Sequence, residues 1–314
     1  MISIYKSLET TKMLEPIDSI QPGCWINIVA PSDQDILLIS KKTGVPVEFL
    51  SAALDEEEAS HIDTEGDHML VIVDVPFTEM EANSLTYDTF PLAIIHTDSY
   101  LITVCLKNSR ILTDFIDGKI KSFYTFKRSR FILQILYRVA SYYLIYLRQI
   151  DKKSVMIEKR LHRSLRNKEL IQLLSLEKSL VYFSTSLKGN KVTLEKMLKL
   201  ELLKKYPEDQ DVLEDVIIEN TQAIEMTEIY SNILTGTMDA FASVISNNLN
   251  IVMKLLASVT IVMSIPTIIF GAFGMNVSGG MPFANDPRGF WYIWIVTTVI
   301  CVISYWLLHK KDLI

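Results

Sequence analysis

The chain has 314 residues, 49% of them hydrophobic, with a formal net charge of −6. A mean hydropathy of +0.24 leans apolar, and the excess lies in the last sixty or so residues. Length allows one or two domains with a real core, while the acidic balance argues against a nucleic-acid partner and the scattered Cys24, Cys105 and Cys301 against a disulfide framework.

Taken in chain order, Met1 to Lys6 holds no long apolar stretch. The expectation is therefore no cleavable signal and a cytoplasmic N-terminal body. Strand-like runs follow at Trp25–Val29, Met69–Val73, Leu92–Ile95 and Tyr100–Val104. Ser32 is placed to cap a helix that ends at Gly44, and a short helix is expected from Val47 to Leu54. Residues 1–123 thus read as an α/β domain with a mostly β core.

From Tyr124 the pattern is helical. A long periodic helix is expected from Phe131 to Arg166, with turns at Lys188-Gly189-Asn190 and at Pro207, making 124–207 a helical region. After Pro207 no proline occurs until Pro266. Val216, Ala223, Met226, Tyr230, Ile233, Phe241 and Val244 recur mostly at steps of three or four. The stalk helix, 208–254, continued into the next segment, would exceed sixty residues, about 95–100 Å at 1.5 Å per residue. A helix of that length is expected to pack against copies of itself.

The final segment, 255–314, reads as a membrane hairpin. Leu255 to Phe273 and Phe290 to Leu308 are uncharged runs, each long enough for roughly 30 Å of hydrocarbon. Trp291, Tyr292, Trp294, Tyr305 and Trp306 bracket the second run as interfacial aromatics. Lys254, Lys310 and Lys311 flank the spans, and only Asp286 and Arg288 charge the loop, so both termini are expected inside.

Asn250, Met253, Ala257, Thr260, Ser264, Thr267, Gly271 and Gly274 form one face of the first span, small or polar except for Met253. Close helix packing and a water-bearing pore both account for such a stripe. No phosphate-binding loop, paired histidine metal motif, intramembrane carboxylate or nucleophile–base pair is evident. ATP drive, a proton relay and enzymatic activity are accordingly not expected.

Gly274-Met275-Asn276 directly after the first of two terminal spans resembles the CorA family of magnesium transporters. Asn250-Ile251-Val252-Met253-Lys254 resembles the family's pore entry, and Pro266-Thr267 with Gly271 its outer end. The resemblance implies an α/β cytoplasmic domain, long stalk helices and a homopentamer in the plasma membrane, with lipid and divalent cations as its other partners. Five first spans would line the pore. No cofactor is implied beyond Mg2+ as transported and regulatory ion. Gly274, Met275 and Asn276 would form the selectivity filter. Gly274 would permit the tight turn, Met275 would pack to hold it, and Asn276 would grip the hydrated ion. Asn250, Met253, Leu256, Thr260, Ser264, Thr267 and Gly271 would line the pore, Met253 and Leu256 as a dewetting constriction. Asp215 matches a regulatory acid of the family. Its usual partner position is Ala52, with Asp55 and Glu56 as nearby substitutes.

The sequence departs from the family at Ser264, where a methionine is common, and in the adjacency of Pro266 and Thr267. Two alternatives accompany the reading: a zinc transporter of the related ZntB type, against which Met275 speaks, and a membrane-anchored sensor without conduction.

Overall fold

The computed structural model describes residues 1–7, 14–81, 84–120, 123–164, 167–200, 207–276, 280, 282–283 and 286–311. Its contacts divide the chain into two compact units, Met1–Thr237 and Met238–Ile314. The segments 1–123 and 124–207 both lie within the first.

The first unit is built on a seven-stranded sheet in the order β2-β1-β3-β7-β6-β5-β4. The strands are β1 (Ile2–Ser7), β2 (Leu14–Pro16), β3 (Trp25–Val29), β4 (His61–Glu65), β5 (His68–Glu81), β6 (Ser84–His96) and β7 (Leu101–Cys105). β3 and β7 pair in parallel, and the other neighbours are antiparallel. Side chains alternate across the sheet. Ile26, Ile28, Leu70, Ile72, Ile102 and Val104 join the core under α1 (Asp33–Thr43) and α2 (Val47–Ser51). On the other face, Trp25 meets Phe131 edge-on at 5.2 Å and donates from Nε1 to Thr103 Oγ1 at 2.9 Å. Thr103 passes its own proton to Asn27 Oδ1 at 3.0 Å, so the buried polar groups beside the indole are paired.

The expected ends of α1 are present. Ser32 and Asp35 form a reciprocal capping box, and Gly44, at φ 78°, donates its N–H to Ser40 O. α2 gives way to a 3-10 turn at Ala52–Leu54, completing the expected Val47–Leu54 element. The β5–β6 hairpin is longer than the apolar runs suggest, because it contains Pro76 and Pro91. β4 stops pairing with β5 at Ile72, and β7 pairs with β6 only from Leu92. Both prolines thus occupy the part of the hairpin whose outer edges are unpaired, where a missing N–H is tolerated.

α3 (Arg110–Ile116), α4 (Arg128–Ser164) and α5 (Asn167–Met197) follow. α5 corrects one expectation: it runs without a break through Lys188-Gly189-Asn190. Gly189 faces Ser60, where even an added Cβ would make only ordinary contact, at 3.5 Å from Oγ. Asn190, 2% exposed, accepts from Asp74 N at 2.9 Å and from Ser60 Oγ at 2.8 Å, and donates to Asp74 O at 2.8 Å. A tripeptide with turn chemistry here serves docking, because its amide satisfies strand backbone on the unpaired edge of β5.

α6 spans Pro207–Phe273 and α7 spans Gly289–Lys310. Pro207 takes the first helical position, where its missing N–H costs nothing. Both helices are long and apolar enough to cross a membrane.

Candidate permeation surface

In the second unit, Ser258 is 1% exposed, and Val262, Ile265, Pro266 and Ile269 are half-buried. Cys301 of α7 brings its Sγ to 3.9 Å from Val262 O. At about 100° per residue, Val262, Ile265 and Ile269 lie within ~40° of Ser258 around the α6 axis. Met253, Leu256, Thr260, Ser264, Thr267 and Gly271 lie roughly 120° or more away, and Asn250 is at their margin. The small and polar stripe is therefore on the side of α6 opposite its packed face. Met253 and Leu256 are 58% and 56% exposed. Asn250, Thr260, Thr267 and Gly271 are also exposed, and Ser264 is half-buried.

The hydroxyls of this face have a shared orientation. Thr260 Oγ1 donates to Leu256 O at 2.8 Å, Ser264 Oγ to Ile261 O at 2.8 Å, and Thr267 Oγ1 to Met263 O at 3.0 Å. Each proton is committed to the helix's own carbonyls, so the oxygens offer lone pairs outward. A row of acceptors suits partners that present hydrogens, such as the water shell of a metal cation.

At the outer end, Gly274 donates to Phe270 O at 2.9 Å and to Gly271 O at 3.2 Å. It does not adopt positive φ. A Cβ there would stand 3.3 Å from Phe270 O, a tight contact. Asn276 is exposed, and so is Met275, at 62%.

The regulatory acids are not gathered in one chain. Among the described residues no group of three or more His, Cys, Asp or Glu side chains converges. Asp215 is exposed on α6, beside the buried Leu213 and Val216. Asp55 accepts from Glu57 N at 3.0 Å, and Glu56 lies 3.9 Å from Lys107. Lys107 also pairs with Glu79 at 3.5 Å and sits 4.4 Å from the centre of the Phe77 ring. Ser258 escaped the sequence reading, although it is more buried than any stripe member. Its signal was a second three-and-four series, Ser258, Val262, Ile265 and Ile269, on the other face.

The comparisons extend over nearly the whole chain. The cobalt/magnesium transport protein CorA of Methanocaldococcus jannaschii is 27% identical over 296 residues, covering 91% of this chain and 90% of that protein. The complete structure of the CorA magnesium transporter from the same organism superposes with a TM-score of 0.84 at 26% identity, covering 100% and 99% of the two chains. The ZntB cytoplasmic domain of Vibrio parahaemolyticus, 15% identical with a TM-score of 0.58 over 79% of this chain and 97% of its own, shares the fold. The family described as CorA-like Mg2+ transporter protein matches residues 21–310, and this chain, with its α/β domain, long helix and two C-terminal apolar helices, belongs to that family.

Proposed function

We propose that five copies of this chain form a passive magnesium channel in the plasma membrane, with their first spans around a common axis. The observation that carries the reading is the outward row of hydroxyl acceptors opposite the packed face of α6. Magnesium surrenders its water reluctantly and keeps near-octahedral geometry. A ring of Asn276 carbonyl oxygens would hold the hydrated ion by its outer hydrogens, and a neutral ring avoids the tight binding that carboxylates would bring. Thr267, Ser264 and Thr260 continue the acceptor row inward past Gly271. Met253 and Leu256 narrow the inner end by dewetting, and Asn250 meets the cytoplasmic water. The membrane potential supplies the drive, about 4.6 kcal/mol for a divalent ion per 100 mV.

Regulation would come from internal divalent ions bridging Asp215 of one copy and an acid of the next. Asp55 is the better candidate for that second acid, because Glu56 already faces the Lys107 ammonium. Cobalt or nickel could share the pathway, since both form compact hydrated divalent ions.

Flux into proteoliposomes tests the proposal. Asn276→Ala is expected to lower magnesium uptake at least about tenfold, with the oligomer intact by size-exclusion chromatography. Normal uptake by that variant overturns the filter. Zinc uptake driven by a pH gradient, without magnesium uptake, would overturn the ion assignment in favour of a ZntB-like activity.

A further inference from the structure

Pro266 lies inside α6 and interrupts its hydrogen-bond ladder. It has no N–H, so Val262 O, four residues back, is left without its helical partner, and the pyrrolidine ring crowds the same carbonyl. Val262 is two residues from the middle of the uncharged run Leu255–Phe273. An unpaired carbonyl is costly there, because hydrocarbon supplies no donor. Val262 is also half-buried on the packed face, across the helix from the hydroxyl stripe that would meet pore water.

The missing donor comes from the second span. Cys301 Sγ of α7 donates to Val262 O at 3.9 Å, a long bond from a weak donor. Thr260, Ser264, Thr267, Thr297 and Thr298 each donate to a carbonyl of their own helix. The Cys301 thiol instead crosses between helices, and the carbonyl it meets is the one that the proline has stripped. The place of the proline in the sequence and the bond between the spans are independent observations that converge on one atom.

We propose that Cys301 is a positioning residue for the pore, holding the Pro266 hinge of α6 to α7 by capping Val262 O. Sharp bends in helices occur at prolines. Thr260 and Ser264 precede this hinge, and Thr267, Gly271 and Asn276 follow it. The angle at Pro266 decides whether the outer acceptors and Asn276 stay in line with the inner ones, and α7 sets that angle through the thiol. The effect on permeation rests on the channel reading, whereas the cap itself does not.

Infrared spectroscopy of the full-length protein in detergent tests the cap, because the S–H stretch lies clear of other protein bands and drops in frequency when the thiol donates. A difference spectrum between each protein and its Cys301→Val counterpart isolates this thiol from Cys24 and Cys105. The stretch is expected at the frequency of a bonded thiol, and higher in Pro266→Ala, whose new N–H takes over Val262 O. A free-thiol frequency, or one that Pro266→Ala leaves unmoved, overturns the cap. Magnesium uptake into proteoliposomes tests the positioning. Cys301→Val, close in volume and without a donor, is expected to lower uptake about threefold, the scale of one weak hydrogen bond. In the Pro266→Ala background the same substitution is expected to cause no loss. A cysteine that merely fills space predicts equal effects in both backgrounds. Unchanged uptake in Cys301→Val, or an equal loss in both backgrounds, overturns the positioning role. If the unsubstituted protein passes no magnesium, that role falls with the channel reading, and the infrared result still decides the cap.

Discussion

The two units invert one another. In the first, the large side chains are inside: Trp25, Phe115, Phe131, Tyr143 and Phe183 are at 0% exposure. In the second, they are outside, with Trp291 at 62%, Trp294 at 51%, Ile295 at 56% and Val302 at 61% exposed, while buried positions include Ser258 and Thr297. Water drives the first arrangement, since each large apolar group withdrawn from it contributes about 1.5–3 kcal/mol. In lipid that drive is absent, and small side chains at the contact let the helices approach. The stripe of α6 fits neither pattern, because Asn250, Thr260 and Thr267 are exposed without being apolar, beside the exposed Met253 and Leu256. That exception is the observation on which the proposed channel rests.

The largest effect that would break the comparison is on stability. Phe131→Ala removes a ring that packs on Trp25, Phe115 and Phe123, and is expected to cost about 3–5 kcal/mol. Ile295→Ala, on the outward face of α7, is expected to cost about 0.5 kcal/mol or less. Urea unfolding in detergent, read by circular dichroism, measures both. Equal costs would mean that the second unit also relies on burial of its large side chains.

A smaller effect sharpens the exception. Ser264→Leu puts a branched apolar side chain into the acceptor row without touching the packed face. Magnesium uptake is expected to fall about tenfold, equivalent to about 1.4 kcal/mol of barrier, with assembly unchanged. Val299→Leu, an exposed position on α7, should leave uptake as it was. Equal losses in the two would assign the Ser264 effect to membrane packing in general.

The sequence made the spans, the stripe, α1 with its caps and the central strands legible, because each rests on a local pattern. What it hid depended on distant partners. The extent of β5 and β6 was obscured by Pro76 and Pro91, whose tolerance follows from where β4 and β7 stop pairing. Lys188-Gly189-Asn190 has the composition of a turn, yet it is helical because the Asn190 amide finds Asp74, more than a hundred positions away. Gly274 reads as permitting a tight turn, but its closeness to Phe270 O is not visible in the tripeptide. The hydroxyl stripe was readable as a stripe, but the commitment of its protons to backbone carbonyls was not, since rotamers leave no trace in spacing.

The least of the expected effects concerns acid, and it separates the units by charge. Asp114 of α3 is buried, and burial by itself raises its pKa. Hydrogen bonds from Tyr142, Lys119 and Arg138 outweigh this and hold the carboxyl below its ordinary value. A depressed folded pKa stabilises the fold fully above the unfolded value of about 3.9, and the contribution is lost as pH falls through the folded one. The spans contain no carboxylate, so acid has no such lever within the membrane. Between pH 5 and pH 3 the urea midpoint of the first unit should fall, and it should fall less in Asp114→Asn, which carries no titrating group at that position. Tryptophan emission serves as the readout, because Trp25 lies in the first unit and Trp291, Trp294 and Trp306 in the second. Replacing the last three by Phe isolates the Trp25 signal. An unchanged pH slope in the Asn variant would show that other carboxylates set the acid sensitivity, and that the contacts from α4 hold α3 in place through geometry rather than charge.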